Sequence, residues 1–154
     1  MKEYKGTLIG KGKKFAVVIS RFNELLSKSL LDGALDCFAK HGVTDDLIDI
    51  YWTPGSFEIP TAIANIIKKS KYDGIVTLGV IIRGDTPHFD FIAAETAKGI
   101  ANQSISSGIP IGFGIITADS TDQAMDRAGL KSGNKGRDAV LSVLEMTNLI
   151  DGMK

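Results

Sequence analysis

The residues best suited to chemistry lie between positions 78 and 90, where an apolar run stops at a polar turn. The run at 75–82 is followed by Arg83-Gly84-Asp85-Thr86-Pro87-His88, and a helical pattern begins at the histidine. This order predicts a buried strand, a turn and a helix. In open α/β sheets, ligands bind just beyond the carboxyl ends of the strands. We therefore expect this turn to form part of a binding site.

The turn carries groups that suit an anion and a proton transfer. The amides of Asp85 and Thr86, the Thr86 hydroxyl and a nearby arginine would form a phosphate site. His88 is one of only two histidines. A neutral imidazole near pH 7 can move protons, although His88 could equally cap the helix. No cluster of histidine, cysteine or carboxylate side chains accompanies it, so we predict no metal ion.

Two more turns follow predicted strands and should meet the first at one edge of the sheet. They are Arg21-Phe22-Asn23 and Pro54-Gly55-Ser56-Phe57-Glu58. The fourth predicted strand adds Phe113, and Arg127, Lys131 and Lys135 come after it.

Three phenylalanines in these segments, Phe22, Phe57 and Phe113, would be unusual at exposed turns unless a flat ligand stacks on them. The alternative is that they pack over helix ends. Glu58 also has two interpretations. It could stabilise a helix start, or it could accept hydrogen bonds from a heterocycle.

Strand and helix patterns alternate along the whole chain. Strands are predicted at 15–20, 47–53, 72–82 and 111–117. Helices are predicted at 24–41, 60–69, 88–107 and 121–128, and from 135 or 137 to 150. This order predicts one domain over residues 1–154, a flavodoxin-like three-layer α/β/α sandwich with a four-stranded parallel sheet. A short N-terminal strand at 4–9 could join an edge of its own sheet or a neighbour's.

Composition narrows the classes of partner. The 154 residues include 18 basic and 18 acidic side chains, so a general nucleic-acid or membrane partner is not indicated. The single cysteine, Cys37, excludes an internal disulfide and fits a reducing compartment. The polar start and the lack of a long apolar run suggest a cytoplasmic protein. The glycine-rich segment 129–136 lacks the ending of a nucleotide-binding phosphate loop.

Taken together, several segments resemble one enzyme family, the 6,7-dimethyl-8-ribityllumazine synthases of riboflavin biosynthesis. The resemblance covers essentially the whole chain, and the segments occur in the family's order and spacing. They are Ser20-Arg21-Phe22-Asn23, Pro54-Gly55-Ser56-Phe57-Glu58-Ile59-Pro60, Leu78-Gly79-Val80-Ile81-Ile82-Arg83-Gly84, Thr86-Pro87-His88-Phe89-Asp90, Phe113-Gly114, Arg127-Ala128-Gly129 and Gly133-Asn134-Lys135-Gly136. Two departures are mild: Thr53 stands where the family often has valine, and position 85 varies.

The resemblance implies a transferase reaction between two small molecules. 5-Amino-6-(D-ribitylamino)uracil would condense with 3,4-dihydroxy-2-butanone 4-phosphate. An imine forms, phosphate leaves, the second nitrogen closes the ring and water is lost. The family needs no metal or redox cofactor for this reaction, so we expect none.

The resemblance also implies a role for each site residue. Phe22 would stack on the pyrimidine, and His88 would move protons. Lys135 would reach the pyrimidine edge, and Phe113 would close the site. The ring and ribityl chain would be held by Ser56, Phe57 and Glu58, beside a wall of Val80, Ile81 and Ile82. The phosphate would be bound by Asp85, Thr86 and Arg127.

In this family the pocket lies between adjacent subunits of a pentamer, and some members build icosahedral shells from twelve pentamers. The resemblance therefore implies a homo-oligomer in which Phe113 and the later basic residues come from the neighbouring chain. Because the Asp85 carboxylate would repel a phosphate, we expect its side chain to point away and only its amide to contribute.

Three alternatives to this enzyme remain. The chain could be a non-catalytic shell-forming or storage protein, or a flavodoxin-like flavin carrier. The nearest enzymatic alternative is a riboflavin synthase of the archaeal type, which performs a different reaction on a similar fold.

Overall fold

The computed structural model describes residues 1–130 and 133–154. Its strands are β1 (Phe15–Ser20), β2 (Ile48–Thr53), β3 (Gly74–Ile82) and β4 (Ile111–Ala118). They form one parallel sheet in the order β2-β1-β3-β4. The helices are α1 (Glu24–Lys40), α2 (Ile59–Lys69), α3 (His88–Ser107), α4 (Thr121–Arg127) and α5 (Lys135–Met153). The predicted α/β class with its four-stranded parallel sheet is confirmed. Lys131, singled out from the sequence, lies outside the described residues.

Alternate side chains of the central strands feed two separate cores. Phe15, Val17 and Ile19 on β1 point into a cluster with α1, α4 and α5, whereas Ala16 and Val18 join a second cluster with α2 and α3. All five are fully buried. Burial on both faces explains why β1 reads as a continuous apolar run rather than an alternating one. The two cores hold the sheet rigid, so its carboxyl edge is a fixed platform for the turns that follow the strands.

Two glycines of β4 permit a close approach, by α5 at Gly112 and by the neighbouring strand β3 at Gly114. A Cβ atom at Gly112 would stand 2.6 Å from the main-chain oxygen of Ala139, and one at Gly114 would stand 2.5 Å from that of Thr77. Both distances are shorter than real Cβ contacts allow. Glycine at these two positions of β4 is therefore a packing requirement.

The N-terminal segment differs from the strand predicted at 4–9. Among the described residues, positions 1–10 pair with no strand of this chain. They lie along α5, where the Asn148 side-chain amide donates to the main-chain oxygens of Thr7 at 2.9 Å and Ile9 at 3.0 Å. Within its own chain this segment therefore bonds to α5 and not to a sheet edge, and pairing with a neighbour's edge stays a prediction.

Other element boundaries shift only slightly from the predictions. A short 3₁₀ turn, Asp45–Leu47, precedes β2, so that strand starts one residue later than predicted. β3 starts at Gly74 rather than at Tyr72, and α5 continues to Met153 instead of ending near 150. Two helix ends carry caps: Gly42 has a positive φ of 87° after α1, and the Ser120 hydroxyl accepts from the amide of Gln123 at the start of α4.

Candidate active site

A cleft of about 510 Å³ opens at the carboxyl ends of β1, β2 and β3. It is the place where the turns after these strands meet, as strand-end geometry requires. Residues of all three turns line it, together with the end of β3 and the first two turns of α3. The lining residues are Phe22, Gly55, Ser56, Phe57, Glu58, Val80, Ile81, Ile82, Gly84, Thr86, His88, Phe89 and Ile92.

The turn after β1 presents Phe22 to this cleft. Asn23, at the start of α1, adopts the left-handed conformation with φ 59° and ψ 52°, and it is the one non-glycine residue with positive φ in the described part of the chain. Its side-chain amide donates to the main-chain oxygen of Val80 at 3.2 Å. Strained backbone of this kind persists where the surroundings over-determine it. The strain and the hydrogen bond together fix the Phe22 ring, which is 69% exposed.

The turn after β2 supplies a hydroxyl, a ring and a carboxylate. Ser56 is buried, and its hydroxyl donates to that of Ser20 at 3.5 Å. Phe57 is 56% exposed. Glu58 directly precedes α2, and its Oε2 would lie 3.1 Å from a Cβ at position 55. Glycine at 55 therefore leaves room for the carboxylate, which can accept hydrogen bonds from a ligand's N–H groups.

Close packing against β3 sets the position of Ser56. A Cβ at Gly79 would stand 2.7 Å from Ser56 Oγ and 2.8 Å from Ser20 Oγ. Because glycine has no side chain, both hydroxyls can approach the strand. The floor of the cleft beside them is the apolar end of β3, formed by Val80, Ile81 and Ile82. This combination of an apolar floor and a few polar groups is typical of small-molecule sites.

The turn after β3 supplies the remaining polar groups. The Thr86 hydroxyl accepts from the amide of His88 at 3.4 Å, and both side chains line the cleft. His88 is the first residue of α3, a helix of 20 residues. The first amides of a helix have no partner within it, and they carry a partial positive charge. The turn can therefore accept an anion close to an imidazole.

Arg83 braces this turn from outside the cleft. Its Nε donates to Asp119 Oδ1 at 2.8 Å, and its NH1 lies 3.5 Å from Asp90 Oδ1. The guanidinium also lies over the Phe89 ring, 4.5 Å from the centroid. The neighbouring Asp119 carboxylate raises the pKa of Arg83 above its usual range. One side chain thus joins the ends of β3 and β4 to the first turn of α3.

Four predicted site residues lie away from this cleft in the single chain. Asp85 is exposed and is absent from the described lining. Phe113 is the third residue of β4, as the predicted strand at 111–117 implies, and it pairs with Thr77 rather than lying beside the turns. It lines a second apolar groove with α3. Arg127 ends α4 and donates weakly to the Thr117 oxygen at 3.5 Å, and Lys135 begins α5.

The three phenylalanines are too exposed to be packed over helix ends of their own chain. Phe22 and Phe57 are more than half exposed, and Phe113 is 46% exposed. Exposed aromatic rings beside a cleft or a groove are typical of surfaces that bind a ligand or another chain. Two of the rings flank the cleft, and the third faces a different surface.

Some residues that shape the cleft were given no role from the sequence. Phe89 and Ile92 form its wall on α3, and Gly55 makes room for Glu58. Phe89 and Ile92 follow His88 by one and four residues, which places them on the face of α3 that is turned toward β3. This spacing could have indicated their role. Asn23 was quoted only as part of a motif. Asparagine adopts the left-handed conformation more often than most residues, so an asparagine in the short turn between a strand and a helix was the available signal.

Asn134 secures the segment that carries the basic residues. Its side-chain amide donates to the oxygens of Ser29 at 3.1 Å and Ala128 at 3.2 Å. Its Oδ1 accepts from the amides of Gly136 at 2.8 Å and Arg137 at 3.1 Å. One side chain therefore ties the end of α4 and the start of α5 to α1. This fixes the spacing between Arg127 and Lys135.

The fold and the cleft define a doubly wound α/β protein with a small-molecule site at the carboxyl edge of its sheet. The site combines exposed rings, a carboxylate, an imidazole and an anion-accepting turn. In the described part of the chain, His, Cys, Asp and Glu side chains form no group of three that could hold a metal ion. No described helix is both long and apolar enough to span a membrane.

Comparison with known proteins identifies the family. The family model of 6,7-dimethyl-8-ribityllumazine synthase matches residues 12–151. Two proteins of that name from Clostridium kluyveri, of strains ATCC 8527 and NBRC 12016, are each 49% identical to this chain over 150 residues. The alignments cover 97% of this chain and 97% of each relative. The chain belongs to the 6,7-dimethyl-8-ribityllumazine synthase family.

Proposed function

We propose that the cleft is the substrate site of a lumazine synthase. The enzyme is a transferase of riboflavin biosynthesis that condenses 5-amino-6-(D-ribitylamino)uracil with 3,4-dihydroxy-2-butanone 4-phosphate. The products are 6,7-dimethyl-8-ribityllumazine, phosphate and water. The observation that carries this proposal is the meeting of Phe22, Glu58, Thr86 and His88 in one cleft, because they supply the chemistry that these two substrates require.

The pyrimidine binds on the side of the cleft formed by the first two turns. Its flat ring stacks on Phe22, since exposed aromatic rings favour stacked partners. The Glu58 carboxylate accepts hydrogen bonds from ring or amino N–H groups, and Ser56 and Phe57 hold the ring and the ribityl chain. Val80, Ile81 and Ile82 provide the apolar floor.

The phosphorylated ketone binds on the side formed by the turn after β3. The Thr86 hydroxyl and the main-chain amides of Asp85 and Thr86 donate to the phosphate, and Arg127 adds a charge-assisted contact. The Asp85 side chain points away from the anion. Stabilising the phosphate as it leaves favours the step that consumes the imine.

His88 moves the protons of the reaction. Imine formation, ring closure and loss of water each need a proton delivered or removed, and an imidazole does this near neutral pH. An amine and a ketone react without strong activation, so most of the rate enhancement comes from holding the two substrates in place.

The site is completed by a neighbouring chain in a pentamer. Arg127, Phe113 and Lys135 lie outside the cleft of their own chain, so a second copy has to bring them to it. Three exposed apolar surfaces support assembly. They are the N-terminal segment with Tyr4 and Ile9, the edge strand β2 with Ile50 and Trp52, and the groove between α3 and β4 with Ile105 and Phe113.

Within such a ring, the N-terminal segment can add a strand to a neighbour's free edge. Lys135 reaches the pyrimidine edge, and Phe113 closes the cleft. Twelve pentamers could assemble further into an icosahedral shell, and the enzyme works in the cytoplasm without a cofactor. Sedimentation and electron microscopy of the purified protein distinguish a pentamer from a shell.

The reaction is tested by mixing the two substrates and following the absorbance of the lumazine product. Product formation that depends on the protein supports the proposal, and no product at saturating substrate refutes it. A protein that binds flavin tightly without turnover would instead be a carrier. Conversion of purified lumazine to riboflavin would indicate a riboflavin synthase of the archaeal type.

A further inference from the structure

We propose that Arg83 is a positioning residue for the phosphate-binding turn, acting through Asp119, Asp90 and the Phe89 ring. The proposal rests on the proposed role of residues 84–88 in binding phosphate. Arg83 is the residue directly before that turn, and its side chain leaves the turn on the outer side. It holds the turn in place without itself contacting the phosphate.

The contacts of Arg83 surround the turn at both ends. Its own amide donates to the Ala118 oxygen at 2.8 Å, which fixes the start of the turn on β4. Its guanidinium pairs with Asp119 directly after β4, at 2.8 Å. The same group reaches Asp90 in the first turn of α3, at 3.5 Å, and covers the ring of Phe89. The turn is therefore clamped between a strand edge and the helix that follows it.

The geometry favours positioning over direct binding. The guanidinium is already engaged by two carboxylates, which offset its charge and compete with any anion. Arg83 does not belong to the cleft lining, whereas its stacking partner Phe89 does. A planar guanidinium presents several donors in a fixed fork to two carboxylates while its face stacks on a ring, whereas an ammonium group is a compact point charge without that geometry. This explains why the position uses arginine.

Each of these contacts is partly exposed, so none should dominate the stability of the fold. The side chains of Arg83, Asp119 and Asp90 are 45%, 68% and 61% exposed, and exposed ion pairs contribute little to unfolding. Together, however, these contacts should set the distance between the turn's amides and a bound phosphate. A small displacement there weakens binding of the phosphorylated substrate.

The first experiment compares Arg83→Ala with the wild type in steady-state kinetics. We expect the KM for 3,4-dihydroxy-2-butanone 4-phosphate to rise about three- to tenfold, the size of one or two weak polar contacts. The KM for the pyrimidine should change less than twofold. Inhibition by inorganic phosphate should weaken in parallel. Equal effects on both substrates would overturn the proposal, because a general loss of structure does not select the phosphorylated one.

Asp119→Asn distinguishes positioning from direct binding and does not require the arginine variant to fold. If Asp119 holds Arg83 in place, Asp119→Asn raises the KM for the phosphorylated substrate. Combining it with Arg83→Ala then raises that KM little further than Arg83→Ala alone. If Arg83 were a phosphate ligand restrained by Asp119, freeing it would lower that KM, and this result would overturn the proposal. Arg83→Lys should recover only part of the loss. Full recovery would show that charge alone suffices and would also overturn it.

Two controls separate this inference from the proposed function. Thr86→Ala should raise the KM for the phosphorylated substrate; if it does not, the assignment of the turn itself fails. If Thr86→Ala has this effect and Arg83→Ala does not, only the role of Arg83 is refuted. Lys40→Ala removes a similarly exposed pair with Asp36, 2.8 Å long, at the far end of α1, and both KM values should stay unchanged.

Discussion

The side-chain amide of Asn23 donates a 3.2 Å hydrogen bond to the main-chain oxygen of Val80, and this joins the turn after β1 to the floor of the cleft on β3. Asn23 also holds a left-handed backbone with φ 59°. The residue before it is Phe22, the ring proposed to stack on the pyrimidine. The position of that ring therefore depends on one backbone conformation and on one hydrogen bond.

Substitutions at Asn23 should separate these two contributions. Asn23→Gly keeps the left-handed backbone but loses the hydrogen bond, whereas Asn23→Ala loses both. Because a non-glycine residue in this conformation costs about 1–2 kcal/mol and a hydrogen bond contributes about 1 kcal/mol, the alanine variant should be the less stable by urea unfolding. Both variants should raise the KM for the pyrimidine. A glycine variant with the lower stability of the two would contradict this account.

Arg127→Ala should affect one substrate more than the other. An arginine placed on the departing phosphate stabilises the charge that develops there. We expect the KM for the phosphorylated ketone to rise by at least about tenfold, the cost of one charge-assisted hydrogen bond. The KM for the pyrimidine should rise much less. Steady-state kinetics with each substrate varied in turn would measure this, and the reverse ranking would contradict the assignment.

Mixing two impaired variants should restore activity if the site is shared between neighbours, measured at a concentration of the phosphorylated ketone so low that each variant alone turns over very slowly. His88→Ala chains retain Arg127, and Arg127→Ala chains retain the cleft. In mixed rings assembled at random from equal amounts, about one interface in four joins the two intact halves. Co-expressed variants should therefore recover up to about a quarter of wild-type activity. A mixture of His88→Ala with Phe22→Ala should recover none, because both residues belong to the same chain's cleft.

Recovery in that second mixture would show exchange of whole segments between chains. No recovery in the first, with mixed rings demonstrated by mass spectrometry, would place Arg127 in the cleft of its own chain. That result would remove the main argument for a pentameric site.

Most of the cleft could be predicted from the sequence because strand ends are easy to read. Apolar runs at β1 and β3 stop at polar turns, and parallel strands bring their carboxyl ends to one edge. Phe22, Ser56 and His88 followed from that rule. The bounds of α3 were also predicted correctly, since the polar turn precedes it and Gly108 ends it with φ 71°.

The rest could not be predicted because it depends on contacts that no local pattern encodes. Phe113 was predicted inside the fourth strand, and β4 does start two residues before it; only packing shows that its ring lines a groove with α3 and not the cleft. In the sequence Asn134 is only one residue of a glycine-rich loop. Its structural role is a hydrogen bond to the main-chain oxygen of Ser29, which is far away in the sequence. The N-terminal segment looked like a strand, and only tertiary packing against α5 decides where it lies.

Asn134→Ala should destabilise the protein and loosen the basic segment. It removes the cap of α5 and leaves the oxygens of Ser29 and Ala128 without this donor. We expect a loss of about 2–3 kcal/mol in the free energy of unfolding, from one cap and one or two buried hydrogen bonds. The KM for the phosphorylated substrate should also rise, because Arg127 shifts. Asn134→Asp keeps the acceptor for α5, so it should lose less stability, and an equal loss would contradict the role of the cap.

A hydrogen-bonded network at the opposite end of the sheet should make stability depend on pH. The Tyr72 hydroxyl donates to Asp49 Oδ2 at 2.6 Å, and Tyr51 lies 2.6 Å from the Tyr72 oxygen. Lys14 approaches the same carboxylate at 3.2 Å. The Tyr72 hydrogen bond, followed by Lys14, lowers the pKa of Asp49. Burial, followed by the hydrogen bond to Asp49, raises the pKa of Tyr72.

The directions of these two pKa shifts define the pH range in which Asp49 and Tyr72 stabilise the fold. A carboxylate with a lowered pKa stabilises the fold above its unfolded pKa of about 4, and this is lost as pH falls through the folded pKa. A phenol with a raised pKa stabilises the fold below about pH 10, its unfolded value, and this is lost as pH rises through the folded pKa. The pair therefore contributes between these limits.

Tyr72→Phe should lose about 1 kcal/mol of unfolding free energy at pH 7, the contribution of one hydrogen bond to a partly exposed carboxylate. The difference from the wild type should shrink below about pH 4, where Asp49 becomes protonated. Tyr51→Phe keeps the bond between Tyr72 and Asp49, so its loss should be smaller and should change less with acid. Urea unfolding at one chain concentration across this pH range measures both variants. A Tyr72→Phe difference that stays constant from pH 7 to pH 3 would show that the carboxylate is not involved.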